Sequence, residues 1–198
     1  DLVTEEHCER LAMVAARLGE GLGLRIEERE AIAYGALLHD VGKIGVPEAI
    51  LSKPGALSPD EWIVLRRHPE IGERICRPLA LSREFAPIVR HHHERWDGTG
   101  YPDGLRGEAI PLGARVVGLA DAFDAMTHDR PYRAALSVSA ALEELRRQSG
   151  RQFDPGLVEP FIVVVDNLAE WAEPAGAGRS TSFDGARAGA TPVPSFGG

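Results

Sequence analysis

Seven histidines are spread over this 198-residue chain, and several stand where helical periodicity turns them inward. His7 precedes Leu11, Val14 and Leu18 at steps of four, three and four, so all four share one helix face. His39 and Asp40 close the apolar run Ala31-Ile32-Ala33-Tyr34-Gly35-Ala36-Leu37-Leu38, and Lys43 follows three residues later. His68, the pair His92-His93, and Asp121 after Val116-Val117-Gly118-Leu119-Ala120 complete the set. Nitrogen and oxygen donors without a thiolate suit divalent iron, manganese or zinc. A single inward histidine is commonly just a hydrogen-bonded core residue. The aspartates argue for more, because burying an unpaired carboxylate is costly and a metal cation compensates it directly. A buried salt bridge from Asp121 to Arg115 or Lys43 is the alternative, and it leaves the histidines unexplained.

The elements that must carry these residues read as helices. The first runs from about Thr4 to Glu20. The second starts near Glu27 with an acidic first turn, suited to the helix dipole, and is apolar nearly all round, which predicts burial of the whole helix with His39 and Asp40 on it. Gly42, Gly45 and Pro47 open a connector up to Leu57. Ser58, Pro59 and Glu61 form a capping box with proline at the first helical position. That helix is expected to reach about His68, where Pro69 opens another. Ser82 is expected to cap a helix leading to the histidine pair. Gly98, Gly100, Pro102, Gly104 and Gly107 make residues 97–111 a loop. Helix returns at Leu112 and places Asp121 and Asp124 on one face. Further helices follow Ser137 and Asp154-Pro155; Phe161-Ile162-Val163-Val164-Val165 is assigned to helix despite its β-branched content.

These motifs, in this order, resemble the HD-GYP domain, a subgroup of the HD phosphohydrolase superfamily. The matching stretches are His39-Asp40-Val41-Gly42-Lys43-Ile44-Gly45-Val46-Pro47, His92-His93-Glu94 with Asp97-Gly98-Thr99-Gly100-Tyr101-Pro102, Asp121-Ala122-Phe123-Asp124-Ala125-Met126-Thr127, and Arg130-Pro131-Tyr132-Arg133. The resemblance covers about residues 4–165. It implies an all-α fold, a single HD-superfamily helical bundle over residues 1–173. The implied activity is hydrolysis of cyclic di-GMP to pGpG, and in some members on to GMP, by a metal-bound hydroxide. It implies two divalent metal ions, iron or manganese more often than zinc, held by His7, His39, Asp40, His68, His92, His93 and Asp121. Asp40 would bridge the two ions and act with Lys43 in catalysis. Arg130 and Arg133 would bind phosphate, and Gly100, Tyr101 and Pro102 would face the substrate. Tyr101 either stacks on a guanine or closes its loop. Asp124 would orient a ligand or water. His91 is expected to be a neighbour, and His128 a surface residue. Some members carry a glutamate one turn before the first histidine that supports a third metal. Val3 stands there, and Glu5 and Glu6 are expected to face elsewhere, so the site is expected to be dinuclear.

Bulk properties narrow the alternatives. A 43% hydrophobic, 26% charged chain is globular. A net charge of −8 argues against polymeric nucleic acid as a partner, but not against a small anion at a metal centre. Cys8 and Cys76 read as two small apolar side chains, which fits a reducing cytoplasmic compartment. No segment is apolar enough to span a bilayer. Residue 1 is Asp with no leader-like start, so an upstream sensory or receiver domain in a longer chain is expected. From residue 174 to 198 large apolar residues almost vanish, and this tail is expected to be disordered. Two other readings stay open: an HD hydrolase acting on another nucleotide such as ppGpp or a different cyclic dinucleotide, and a catalytically silent cyclic di-GMP module that docks on a GGDEF-type cyclase.

Overall fold

The computed structural model describes residues 5–129 and 134–168. Val3, Arg130, Arg133 and the 174–198 tail lie outside them. The described residues are helical, with one isolated bridge between Ser149 and Phe153 and no strand. The helices are α1 (Glu5–Gly21), α2 (Ile26–Leu38), α3 (Glu48–Leu51), α4 (Pro59–Leu65), α5 (His68–Cys76), α6 (Ser82–His91), α7 (Leu112–Thr127), α8 (Val138–Arg147) and α9 (Pro155–Asp166).

The bundle is organised around α7. Its buried residues, including Ala114, Val116, Leu119, Ala120, Phe123 and Met126, point in every direction, as expected of a helix enclosed by others. α1, α2, α6 and α8 all pack on it. α1 presents Leu11, Val14, Ala15 and Leu18 to the core, the face read from the sequence. Phe123 of α7 meets Phe161 of α9 edge to face at 5.4 Å, so the β-branched 161–165 run is helix because its apolar face has a packing partner. A smaller cluster of Cys76, Phe85, Ala86 and Val89 joins α5 to α6. The capping box of α4 forms as expected: Ser58 Oγ accepts from the Glu61 N–H, and the Glu61 carboxylate accepts from the Ser58 N–H at 2.6 Å.

Three local expectations fail. α2 is not buried all round: Ile32, Gly35 and Ala36 face the core, while Tyr34 is 45% and Leu37 41% exposed. Its neighbours cover only one flank. His39 and Asp40 lie beyond the end of α2 rather than on it. His39 is the C-cap, Asp40 leaves helical geometry at φ −100°, and residues Val41–Gly45 tighten into a 3-10 turn. Ser82 does not cap α6; its hydroxyl donates to the Arg77 carbonyl, and Leu81 takes the cap position at φ 61°.

The tightening after Asp40 has a steric cause. Gly42 lies so close to the start of α5 that a Cβ there would be 1.9 Å from the His68 carbonyl oxygen. Only glycine lets this turn approach α5, and that approach brings Asp40 beside His68. Gly42→Ala should therefore destabilise the domain by about 1–3 kcal/mol or more in urea unfolding. Gly21→Ala, whose new Cβ meets nothing within 4 Å, should stay within about 0.5 kcal/mol of the parent. Equal stability of the two variants would contradict the close-approach account.

Candidate metal centre

Five elements deliver donors to one end of the bundle. α1 supplies His7, the end of α2 supplies His39 with Asp40 behind it, α5 begins at His68, α6 ends just before His92 and His93, and α7 carries Asp121. Their donor atoms form two groups, each within 4.8 Å: Asp40, His68, His92 and His93 in one, and His7, His39 and Asp121 in the other. All seven residues expected from the sequence are thus brought together. Asp40 lies between the groups. Its Oδ1 is 3.3 Å from His68 Nε2 and 4.0 Å from His92 Nε2, and its Oδ2 is 3.3 Å from His39 Nε2 and 2.9 Å from Lys43 Nζ.

The histidines are aimed by helix ends. The last carbonyls of a helix have no amide partner within it. His39 Nδ1 donates to Ala36 O at 2.7 Å, His68 Nδ1 to Leu65 O at 2.8 Å, and His92 Nδ1 to Val89 O at 2.7 Å. In each case the carbonyl belongs to the residue three earlier, at a helix C-terminal end. The bond fixes the proton on Nδ1 and turns the Nε2 lone pair inward. His7 is held differently. Its Nδ1 is 2.6 Å from Asp124 Oδ2, and its Nε2 faces Asp121 Oδ1 at 3.6 Å.

Several donor atoms are left as a cation would need them. His39 Nε2 and Asp40 Oδ1 are buried and make no hydrogen bond. His68 Nε2 and His92 Nε2 face each other at 3.5 Å, two lone pairs that repel unless a cation or proton lies between them. The donor set therefore fits a metal-binding site. Burial, reinforced by the neighbouring histidines, holds His92 and His93 well below the usual imidazole range and keeps them neutral. Burial also disfavours charge on His39, but the Asp40 carboxylate outweighs it and raises His39 to about 9. Asp40 is held well below the usual carboxylate range, because His39, His68 and Lys43 outweigh its desolvation. Asp124, although buried, is lowered to about 2 by His7 and Arg10.

Arg115 hydrogen-bonds Ile110 O and pairs with Asp154, so the alternative bridge from Arg115 to Asp121 does not form. His91 bonds Asp103 and the Pro87 carbonyl and faces away from the donors. His128 is less peripheral than expected, with Nδ1 3.2 Å from Asp124 Oδ1. Cys76 is buried, whereas Cys8 is only partly so.

A cavity of about 990 Å³ opens onto the donors, and Glu6, expected to face elsewhere, lines it. The glycine-rich loop forms another part of its wall. A Cβ on Gly100 would lie 2.4 Å from the Arg95 amide nitrogen, so this glycine lets the loop cross the backbone that follows the histidine pair. Tyr101 stacks on His93, centroids 4.8 Å apart at 26°, and also lines the cavity, so the ring joins the loop to the donor cluster. Pro102 follows through a cis peptide and does not line the cavity.

Sequence reasoning missed two residues here. Arg10, three after His7 on the same helix face, grips Asp124 through Nε at 2.8 Å. Glu94 is a buried carboxylate that accepts from the Asp103 N–H at 2.7 Å and the Leu105 N–H at 3.0 Å, pinning the returning half of the loop. Its position directly after the histidine pair was the available signal.

The family model described as HD domain matches residues 3–157. The chain belongs to the HD domain family. Among curated relatives, it is 47% identical over 161 residues to the cyclic di-GMP phosphodiesterase response regulator RpfG of Xanthomonas campestris, covering 80% of this chain and 43% of that one. It is 40% identical over 177 residues to a cyclic di-GMP phosphodiesterase of Thermotoga maritima, covering 86% of this chain and 47% of that one. The chain thus spans less than half the length of these relatives. A crystal structure of a cyclic GMP-AMP specific phosphodiesterase from Vibrio cholerae superposes with a TM-score of 0.65 at 27% identity, covering 83% of this chain and 44% of that one. These matches bear out the HD-GYP resemblance and the all-α HD fold. Among the described residues, no helix is long and apolar enough to cross a membrane.

Glu94→Gln tests the loop anchor. The amide keeps one acceptor oxygen and points a donor at the second backbone N–H. Expected are a loss of about 1–3 kcal/mol and faster hydrogen exchange at the Asp103 and Leu105 amides. Unchanged exchange at both amides would rule the anchor out.

Proposed function

We propose that this domain is a metal-dependent phosphodiesterase that hydrolyses cyclic di-GMP to pGpG, with two divalent cations, iron or manganese, held by His7, His39, Asp40, His68, His92, His93 and Asp121. The observation that carries this reading is the placement of Asp40, one oxygen toward each donor group. A carboxylate so divided suits a bridge between two ions. The relatives named as cyclic di-GMP phosphodiesterases support the substrate. Cations held there would supply a nucleophile from water at neutral pH and a clamp for phosphate oxygens.

The chain's own residues prepare that chemistry. Lys43, 2.9 Å from Asp40, places a fixed positive charge at the cavity edge, where negative charge grows on the phosphate in the transition state. Asp124 holds His7 in one orientation, and Arg10 holds Asp124. Tyr101 backs His93 and excludes water from that side. Arg130 and Arg133 are proposed to complete the phosphate grip, and Gly100 and Pro102 to shape the loop that faces the substrate. A cytoplasmic setting, an upstream receiver or sensory domain and a GGDEF-type cyclase partner belong to the same reading. A second reading, a hydrolase for a mixed guanine–adenine cyclic dinucleotide, is favoured by the structural likeness to the Vibrio cholerae enzyme. A turnover panel of cyclic dinucleotides separates the two.

Asp40→Ala should remove both bound metal and activity, read by elemental analysis of anaerobically purified protein and by cyclic di-GMP turnover. Lys43→Ala should lower kcat by about 10²–10³ while metal content stays that of the parent. Full turnover in Asp40→Ala would end the assignment.

Metal affinity should also depend on pH. With no cation present His39 holds its proton up to about 9, and ligation requires the neutral imidazole. Below that pH the proton competes, so Mn²⁺ affinity should rise with pH by up to about tenfold per unit. Calorimetry in buffers of differing ionisation enthalpy near neutral pH should find about one proton released on binding. Affinity that falls as pH rises toward 9 would contradict this.

A further inference from the structure

The cations lining the cavity are not equivalent. Arg10 is paired with Asp124, Lys43 with Asp40, Lys53 with Glu61, Arg95 with Asp97 and Arg115 with Asp154. Arg66 lines the same cavity, and no carboxylate among the described residues lies within ion-pair distance of it. It is held by rings instead. Its guanidinium carbon is 5.8 Å from the Trp62 ring centroid and 5.1 Å from that of Tyr101. Tyr101 is the ring that stacks on His93, and Arg66 is two residues before His68. Aromatic faces orient a guanidinium while leaving its in-plane N–H donors unused. An oriented, charge-unmatched fork beside a phosphodiesterase centre calls for an anion.

Accepting the phosphodiesterase reading above, the metal donors account for one phosphate, and a cyclic dinucleotide carries a second in the same small macrocycle. We infer that Arg66 grips the second, non-scissile phosphate and makes the cavity select substrates that carry two phosphodiesters. A base edge is the weaker candidate, since it offers acceptors but no formal charge to match the guanidinium. Arg66 is thus a substrate-binding residue that motif reading passes over.

The test compares wild type with Arg66→Gln, both loaded with Mn²⁺ and checked for metal content. Three quantities are measured: KM for cyclic di-GMP, Ki for the linear dinucleotide GpG (the same two guanines, one phosphate), and kcat/KM for bis(p-nitrophenyl) phosphate. The expected result is a KM for cyclic di-GMP raised about 10- to 100-fold, with kcat, metal content, GpG affinity and bis(p-nitrophenyl) phosphate turnover unchanged. A matching loss for GpG would assign Arg66 to a base and overturn the phosphate assignment. Loss on all three ligands, or loss of metal, would make Arg66 a brace for Tyr101 and His93, and no change would remove it from binding. Wild-type protein that cleaves bis(p-nitrophenyl) phosphate but not cyclic di-GMP would instead sink the substrate reading, and this inference with it.

Discussion

The arrangement depends on one buried carboxylate. Asp40 lies among His39, His68, His92 and Lys43, with an oxygen turned toward each of the two donor groups. Its desolvation is offset only because positive charge surrounds it. The rest of the fold can be read as the means of assembling the groups around it: the end of α2, the start of α5, the end of α6 and the middle of α7 all converge there. Without a cation, His39 carries the compensating proton, while His92 and His93 are kept neutral by burial. The proposed metal ions would replace that proton and separate the facing His68 and His92 nitrogens.

Helix ends do two tasks at once. An unpaired C-terminal carbonyl is a cost to the helix when buried, and an imidazole with an undefined tautomer is a poor ligand. Placing a histidine three residues after the carbonyl answers both, and the chain uses the device at Ala36, Leu65 and Val89. It also accounts for why His39 lies just past α2 rather than within it. A histidine inside a helix faces carbonyls already taken by the ladder. The departure from α-helix at Leu38, unexpected from the apolar run, follows from this need and from the close approach at Gly42.

Much of the centre was legible in the sequence because the donor types are rare in apolar surroundings. His39, Asp40 and Asp121 stood out by burial cost, and the Ser58 capping box and the Asp154-Pro155 start follow from local backbone chemistry. What escaped detection depends on contacts between distant segments. Nothing near Gly42 in sequence reveals the His68 carbonyl that forbids a side chain there. Glu94 looks like an ordinary charged residue until the loop returns two backbone N–H groups to it. The exposure of Tyr34 and Leu37 was hidden because an all-round apolar helix signals burial without saying how many flanks have neighbours. Arg130 and Arg133 remain sequence-level assignments.

The distribution of charge bears on how an anion could enter. The chain carries a net charge of −8, and most of the cations around the cavity are matched by carboxylates. A matched guanidinium or ammonium holds the wall in shape but offers little net attraction to a phosphate. Among the described residues, the cavity wall therefore offers little net attraction to an anion despite its basic side chains. On the described wall, attraction would come from charge added at the donor cluster and from Arg66, the unmatched cation there. Bound cations would then serve substrate capture as well as bond cleavage, and loss of metal would weaken binding and chemistry together rather than chemistry alone.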